Sequence, residues 1–222
     1  MTSEPPPYIQ TTRTSYDAIA EAFDKQFPED GLTALTLERA LFTAYAELVR
    51  ATGTAPVADL GSGPGHITAH LDTLGLSVFG VDVSPRMVEL ARRNHPGLRF
   101  HVGSMTSLDL PEATLGGITA LYSIIHVPDE DLPATLAEFR RVLVPGGYLL
   151  LAFQAGAEEG TEHLHLAERF GHDISLDYYW RDPDAVVGRL ATAGFRLHTR
   201  VLREPQEGEV RPRAFLLARK DG

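Results

Sequence analysis

Apolar positions along this chain follow two periods, and the switches between them mark its elements. Residues 1–14 are polar and proline-rich and read as a mobile tail, and Ser15 to Phe27 reads as a short helix. Leu37, Leu41, Tyr45 and Leu48 recur at helical spacing and predict a second helix that ends near Gly53. A short apolar run, Val57–Leu60, predicts the first strand. Ile67, Leu71 and Leu74 then form a helix face closed by Gly75, and Val78–Val81 is a second strand. Ser84-Pro85 pairs a hydroxyl N-cap with a proline at the first helical position, and Met87, Leu90 and Ala91 line the helix that follows. Leu98–Val102 and Gly117–Tyr122 are strands three and four. Leu132, Leu136, Phe139 and Leu143 line a helix broken by Pro145-Gly146-Gly147. Tyr148–Phe153 is a near-continuous apolar run, as in a strand buried on both faces. Residues 154–182 show no clear period. Pro183–Ala193 is a last helix, followed by strands at Phe195–Leu202 and Ala214–Ala218.

Strands alternating with helices predict an α/β doubly wound, mostly parallel sheet with right-handed crossovers and an antiparallel pair at one edge. Composition narrows the partners. With 222 residues and 43% hydrophobic content, one domain with a sizeable core is expected. A net charge of −10 argues against a nucleic-acid groove and against an anionic membrane surface. There are no cysteines, which excludes disulfides and thiolate zinc sites. No apolar run approaches the roughly 20 residues of a membrane helix, and the N-terminus lacks the pattern of a signal peptide, so a cytoplasmic location is expected.

The candidate chemistry lies in Val57-Ala-Asp-Leu-Gly-Ser-Gly-Pro-Gly-His66 and in Asp82, at the end of the second strand. Strand, glycine turn, helix, strand and acid form a layout that holds a nucleoside cofactor against backbone amides. Asp59 stands two residues before the first glycine. A carboxylate aimed into the turn would repel a pyrophosphate, so a cationic, phosphate-free nucleoside is expected instead of a dinucleotide. Gly61, Gly63 and Gly65 supply close approach and positive φ.

Asp59-Leu-Gly61-Ser-Gly63-Pro-Gly65 resembles motif I of the class I S-adenosylmethionine-dependent methyltransferases. Val78-Phe-Gly-Val-Asp82-Val-Ser-Pro85-Arg-Met87 is similar to the second motif, and Arg141-Val-Leu-Val-Pro-Gly-Gly147-Tyr-Leu-Leu150 to the turn before strand five. Tyr16-Asp-Ala-Ile-Ala20-Glu-Ala-Phe-Asp24 looks like the N-terminal segment of members acting on small molecules, such as quinone-biosynthesis and natural-product enzymes. The resemblance implies a Rossmann-like seven-stranded sheet in the order 3-2-1-4-5-7-6 with an N-terminal helical cap. Residues 1–53 would be the cap segment, and 54–222 the methyltransferase domain with a substrate roof at about 154–182. The cofactor would be S-adenosyl-L-methionine, leaving S-adenosyl-L-homocysteine as product and using no metal. The acceptor would be a small molecule, with a hydroxyl of a secondary metabolite expected first. N- or C-methylation, a non-methylating reaction with the same cofactor, and more remotely a nicotinamide-dependent oxidoreductase are the alternatives. The assembly is open between a monomer and a homodimer.

Candidate roles follow, each beside a plainer one. Asp82 would accept both ribose hydroxyls, or cap the next helix. Asp59 would orient the turn or meet the methionine ammonium, or be a satisfied strand-end acid. Val83 and Met87 would extend the cofactor site, although Met87 is equally core filler. The family often has an acid after strand three. Here Gly103-Ser104-Met105 stands instead, with Ser104 or the Met105 amide as adenine partners. Tyr16 would close over the methionine part of the cofactor or simply pack, and Tyr122 completes the cofactor set. His126 would be a general base, since imidazole titrates near neutral pH, or would cap a turn. Gln154, Tyr178, Tyr179 and Trp180 would line the acceptor pocket or pack in the core. His163 and His165 are expected to hold no metal.

Overall fold

The computed structural model describes residues 6–27, 31, 34–156 and 161–222. Two helices come first, α1 (Pro7–Gln26) and α2 (Thr36–Thr52). Then follow β1 (Val57–Leu60), α3 (His66–Thr73), β2 (Val78–Asp82), α4 (Pro85–Asn94) and β3 (Arg99–Val102). β4 (Leu115–Leu121) leads through a 3-10 turn at Ile124–His126 to α5 (Leu132–Val142) and β5 (Leu143–Gln154). After β5 come β6 (Thr161–Arg169), β7 (His172–Arg181), α6 (Pro183–Thr192), β8 (Phe195–Arg203) and β9 (Arg213–Lys220).

Seven strands form one sheet in the order β3-β2-β1-β4-β5-β9-β8, while β6 and β7 form a separate two-stranded sheet. Counting only the strands of the large sheet, this is the expected 3-2-1-4-5-7-6. β1 pairs in parallel with β2 on one side and β4 on the other, and β9 runs antiparallel to both β5 and β8. Strand order therefore reverses between β1 and β4. In open α/β sheets ligands bind beyond the strand C-termini at such a reversal. Side chains along β5 alternate between two cores. Leu149 and Leu151 pack with Leu136, Phe139 and Val186 on one face, and Tyr148 and Leu150 with Phe42, Tyr45 and Leu71 on the other. A strand covered on both sides by helices must be apolar at consecutive positions, which explains its unbroken hydrophobic run.

Four expectations change. The helix read as Ser15–Phe27 begins at Pro7, so residues 7–14 are not tail, and residues 1–5 lie outside the described residues. Proline at the first helical turn is a start signal because its missing N–H would be unbonded there in any case. The inner face of α2 is Phe42, Tyr45, Ala46 and Val49, one position on from the leucines, and α2 packs on β4 and β5, so α1 alone crosses to the roof. The fourth inner position of α5, Leu143, instead opens β5. The stretch 154–182 is no irregular loop but the hairpin β6–β7, with residues 157–160 outside the described residues. Ser15 Oγ donates to the Ser175 carbonyl at 3.0 Å and accepts from the Ser175 amide at 2.9 Å, pinning α1 to β7. Among the described residues no helix is long and apolar enough to cross a membrane.

Candidate cofactor and acceptor site

A cavity of about 490 Å³ opens at the strand reversal, between the glycine turn after β1 and the roof formed by α1 and the β6–β7 hairpin. Gly61 has φ +74° and a Cβ there would come within 2.4 Å of the Ser123 Cβ, so the turn lies against the end of β4. Gly63, at φ +51°, differs: a Cβ would meet nothing within 4 Å, because that side faces the cavity. The Gly63 amide donates to Asp82 Oδ2 at 2.8 Å and the Ser84 amide to Oδ1 at 2.9 Å. Each carboxylate oxygen keeps a lone pair, and Asp82 lines the cavity. Burial pushes the Asp82 carboxyl up to about 6, against the pull of those two amides. Ser84 Oγ also accepts from the Met87 amide at 3.0 Å, so Asp82 is not the cap of α4.

The open Gly63 backbone and a buried carboxylate with acceptor capacity left over fit a nucleoside carrying two adjacent hydroxyls. Val83, Ser104 and Met105 line the same side of the cavity, with Ser104 Oγ 2.8 Å from Thr106 Oγ1. Met87 lines it too while packing on Ala20 and Leu90, so its two readings coincide.

Asp59 takes the turn-orienting, satisfied place and not the ligand-facing one. Its oxygens accept from Thr119 Oγ1 at 2.8 Å and Thr68 Oγ1 at 2.7 Å, it is buried, and it does not line the cavity. Burial raises its pKa, and the two hydroxyls pull it down. The acid ties β1 to β4 and α3, which sets the turn between them. The notion of a carboxylate facing the ligand and repelling phosphate is therefore corrected.

The part of the cavity away from the glycine turn is built around His126. Tyr122, at φ +53°, turns the chain out of β4 into the 3-10 turn. The fully buried Arg181 holds this turn: it donates to the carbonyls of Ile124 and Val127 and pairs with Asp129 at 2.6 Å. His126 Nδ1 lies 2.8 Å from the Asp177 carbonyl, which can only accept, so Nδ1 carries the proton. Nε2 is then the acceptor for the Tyr16 hydroxyl, 2.8 Å away. Burial lowers the His126 pKa to about 4, and burial pushes the Tyr16 phenol well above its usual value. The imidazole is neutral and its lone pair is already engaged, so the geometry is that of a positioning residue that ties α1 to β7, and the expected free base is not what the structure places there.

Tyr16, Tyr122, His126, Gln154 and Tyr178 line the cavity, and the Gln154 Oε1 is buried without a partner among the described residues. Tyr179 and Trp180 do not line it. Alternation along β7 turns Tyr179 away from Tyr178, and it stacks on His163 at 4.9 Å. Trp180 shares the face of Tyr178 but lies beyond the cavity under the Arg211 guanidinium, 3.9 Å from the ring centroid. His163 and His165 both bond Asp177 Oδ1, at 2.8 and 3.0 Å. Among the described residues no group of three or more His, Cys, Asp or Glu is placed to hold a metal.

Sequence reasoning missed Tyr8, Ile9, Thr12, Phe23 and Arg169, which also line the cavity. Tyr8, Thr12, Tyr16 and Phe23 recur at helical spacing, a legible signal hidden by the flanking prolines. It also missed His66, which lines the turn side of the cavity 3.1 Å from Asp24.

The glycine turn, the buried acid at the end of β2 and the strand order together give a Rossmann-like methyltransferase fold. Residues 57–147 match the family model described as a methyltransferase domain. A demethylmenaquinone methyltransferase of Chlorobaculum parvum is 32% identical over 92 residues, 41% of this chain, and the match spans 37% of that relative's length. An N-demethylindolmycin N-methyltransferase of Streptomyces griseus is 26% identical over 235 positions, covering 95% of this chain and 97% of its own. The solved 1,6-didemethyltoxoflavin-N1-methyltransferase of Burkholderia thailandensis superposes with TM-score 0.72 at 20% identity, covering 100% of this chain and 92% of the other. These likenesses support a class I S-adenosylmethionine-dependent methyltransferase.

Proposed function

We propose that this chain methylates a small molecule at a nitrogen, with S-adenosylmethionine held between the glycine turn and Asp82. The observation that carries this reading is one continuous cavity running from Gly63 and Asp82 to Gln154 and Tyr178. When bound, the cofactor supplies an electrophilic methyl group on a sulfonium. Asp82 would accept the ribose hydroxyls, Gly63 would give the backbone room, Val83, Met87, Ser104 and Met105 would flank the base, and Tyr16 and Tyr122 would close over the remainder. The roof of α1 and the β6–β7 hairpin would exclude water and orient the acceptor, and such positioning can contribute about 7–11 kcal/mol. The expected division at residue 53 enters the proposal with one change: α1 is the cap.

Nitrogen is preferred over the hydroxyl expected first for a physical reason. An alcohol must shed its proton near the moment of transfer, and His126 is a weakened base whose lone pair is occupied. A neutral amine or ring nitrogen brings its own lone pair. The unpartnered Gln154 Oε1 suits an N–H donor on the acceptor, and two of the relatives above carry N-methyltransferase in their names. The test is methyl transfer to matched heteroaromatic amines and phenols by wild type and His126→Asn. The expected result is amine methylation with kcat within about fivefold of wild type in the variant, whereas loss of a general base costs about 100-fold or more. Phenols methylated in preference to amines, with a 100-fold loss in the variant and unchanged cofactor affinity, would restore the base.

A further inference from the structure

Two arginines line the cavity and their surroundings differ. Arg213 is neutralised by Glu209, with Nε 3.4 Å from Oε1, and donates to the Arg211 carbonyl at 2.8 Å. Arg169, near the end of β6, has no carboxylate partner among the described residues. It donates to the Tyr178 hydroxyl, and its guanidinium carbon lies 4.9 Å from the Phe170 centroid, 5.9 Å from Tyr178 and 6.0 Å from Phe27. Four other partly or fully buried arginines, Arg141, Arg181, Arg203 and Arg211, are each paired with an acid. In a chain of net charge −10 carboxylates are abundant, and among the described residues Arg169 differs from these four in facing a cavity with none beside it.

We propose that Arg169 receives an anionic group, a carboxylate, on an otherwise flat and apolar acceptor. The proposal rests on the acceptor-cavity reading above. Aromatic rings beside the guanidinium hold it by cation–π attraction and shield it from water, but they leave its positive charge uncompensated. Its remaining N–H donors form a fixed fork that matches a carboxylate in bidentate geometry, and such charge-assisted pairs are roughly twice as strong as neutral hydrogen bonds. The walls nearby, Phe23, Phe27, Ile9 and Tyr178, are apolar or aromatic and suit the body of such a molecule. Arg169 and Tyr178 stand on the hairpin inserted after β5, whereas the glycine turn and Asp82 follow β1 and end β2. This places the cation on the hairpin part of the roof, opposite the glycine turn and Asp82, and the S-adenosylhomocysteine arm of the test separates the acceptor's carboxylate from the cofactor's.

The experiment is calorimetric titration of the S-adenosylhomocysteine-loaded protein with 1-naphthoate and with its neutral isostere 1-naphthamide. Wild type should bind the acid at least about tenfold more tightly than the amide, R169K should keep part of that preference, and R169M should lose it. R169M should bind S-adenosylhomocysteine within about threefold of wild type, which also reports that it is folded. Equal affinities in wild type, no binding of either compound, or a preference that survives in R169M would overturn the proposal. So would a more than about tenfold loss of S-adenosylhomocysteine affinity in R169M, which would give the guanidinium to the cofactor's own carboxylate. The titrations are repeated without S-adenosylhomocysteine. If that compound fails to bind wild type, the methyltransferase reading falls, while the acid preference still decides the role of Arg169.

Discussion

Asp82 and His126 are both buried titratable groups, and burial acts on them in opposite senses. The Asp82 carboxyl is raised from 3.8 to about 6, so the folded chain keeps a proton that the unfolded chain has released. Its contribution to stability is favourable at acid pH and is lost as pH rises through about 6, at a cost of about 3 kcal/mol once it ionises. That cost keeps an acceptor charged in a buried place. Binding of ribose hydroxyls requires the charged form, so affinity for S-adenosylhomocysteine should fall as pH drops below 6, and Asp82→Asn should bind weakly with no such dependence. Titrations at a series of pH values from 5 to 8 check this, and a pH-dependent Asp82→Asn would contradict it. His126 is lowered from 6.5 to about 4. Its stabilisation is complete above 6.5 and is lost as pH falls towards 4, where the unfolded chain takes up the proton first. Denaturant unfolding should show wild type losing up to about 3 kcal/mol more than His126→Asn over that window. Parallel profiles for the two proteins would mean that the imidazole is not buried neutral.

At the scale of elements, the site depends on α1 and the β6–β7 hairpin acting as one roof. Two contacts join them: Ser15 to Ser175 through both backbone groups, and Tyr16 through His126 to the Asp177 carbonyl. Ser15→Ala leaves the Ser175 amide without its partner, a change worth about 1–3 kcal/mol for a buried group. Amide exchange should then quicken in α1 and β7 together, while β1 and β4 keep wild-type protection. Faster exchange in only one of the two would show that they open independently. The glycine turn offers the complementary case. Gly61→Ala puts a Cβ 2.4 Å from that of Ser123 at positive φ and should lower the melting temperature, whereas Gly63→Ala has space and should mainly weaken cofactor binding. The reverse order of effects would place the cavity on the wrong side of the turn.

Much of this architecture was legible because two periods and a few punctuating residues encode it. Four of the parallel strands, β1, β2, β4 and β5, the glycine turn and Asp82 could be read directly, since buried parallel strands are largely apolar and turns need glycine. The face of α2 was misread by one position because Glu38, which looks like a solvent residue, is buried against Arg203 at 2.8 Å. The hairpin was missed because its strands carry charge and histidine on exposed faces, so no clean alternation remains. Asp59 shows a further limit. Its place in the motif was informative, but its partners, Thr68 and Thr119, lie on other elements, and their spacing in the chain gives no sign that they meet. Arg169 became visible only once α1 and the hairpin were brought together.

At the scale of the whole molecule, the strand reversal beside the glycine turn is shared with dinucleotide folds, and the antiparallel β9 seated between β5 and β8 is what sets this sheet apart. The central claim is that the Gly63–Asp82 cradle binds the adenosyl cofactor. Calorimetry of wild type and Asp82→Ala with S-adenosylhomocysteine and with reduced nicotinamide dinucleotide tests it most directly. The account predicts one-to-one binding of S-adenosylhomocysteine to wild type, a loss of more than about tenfold in the variant, and no heat with the dinucleotide. Binding of the dinucleotide alone, or an Asp82→Ala protein that binds S-adenosylhomocysteine as wild type does, would contradict it.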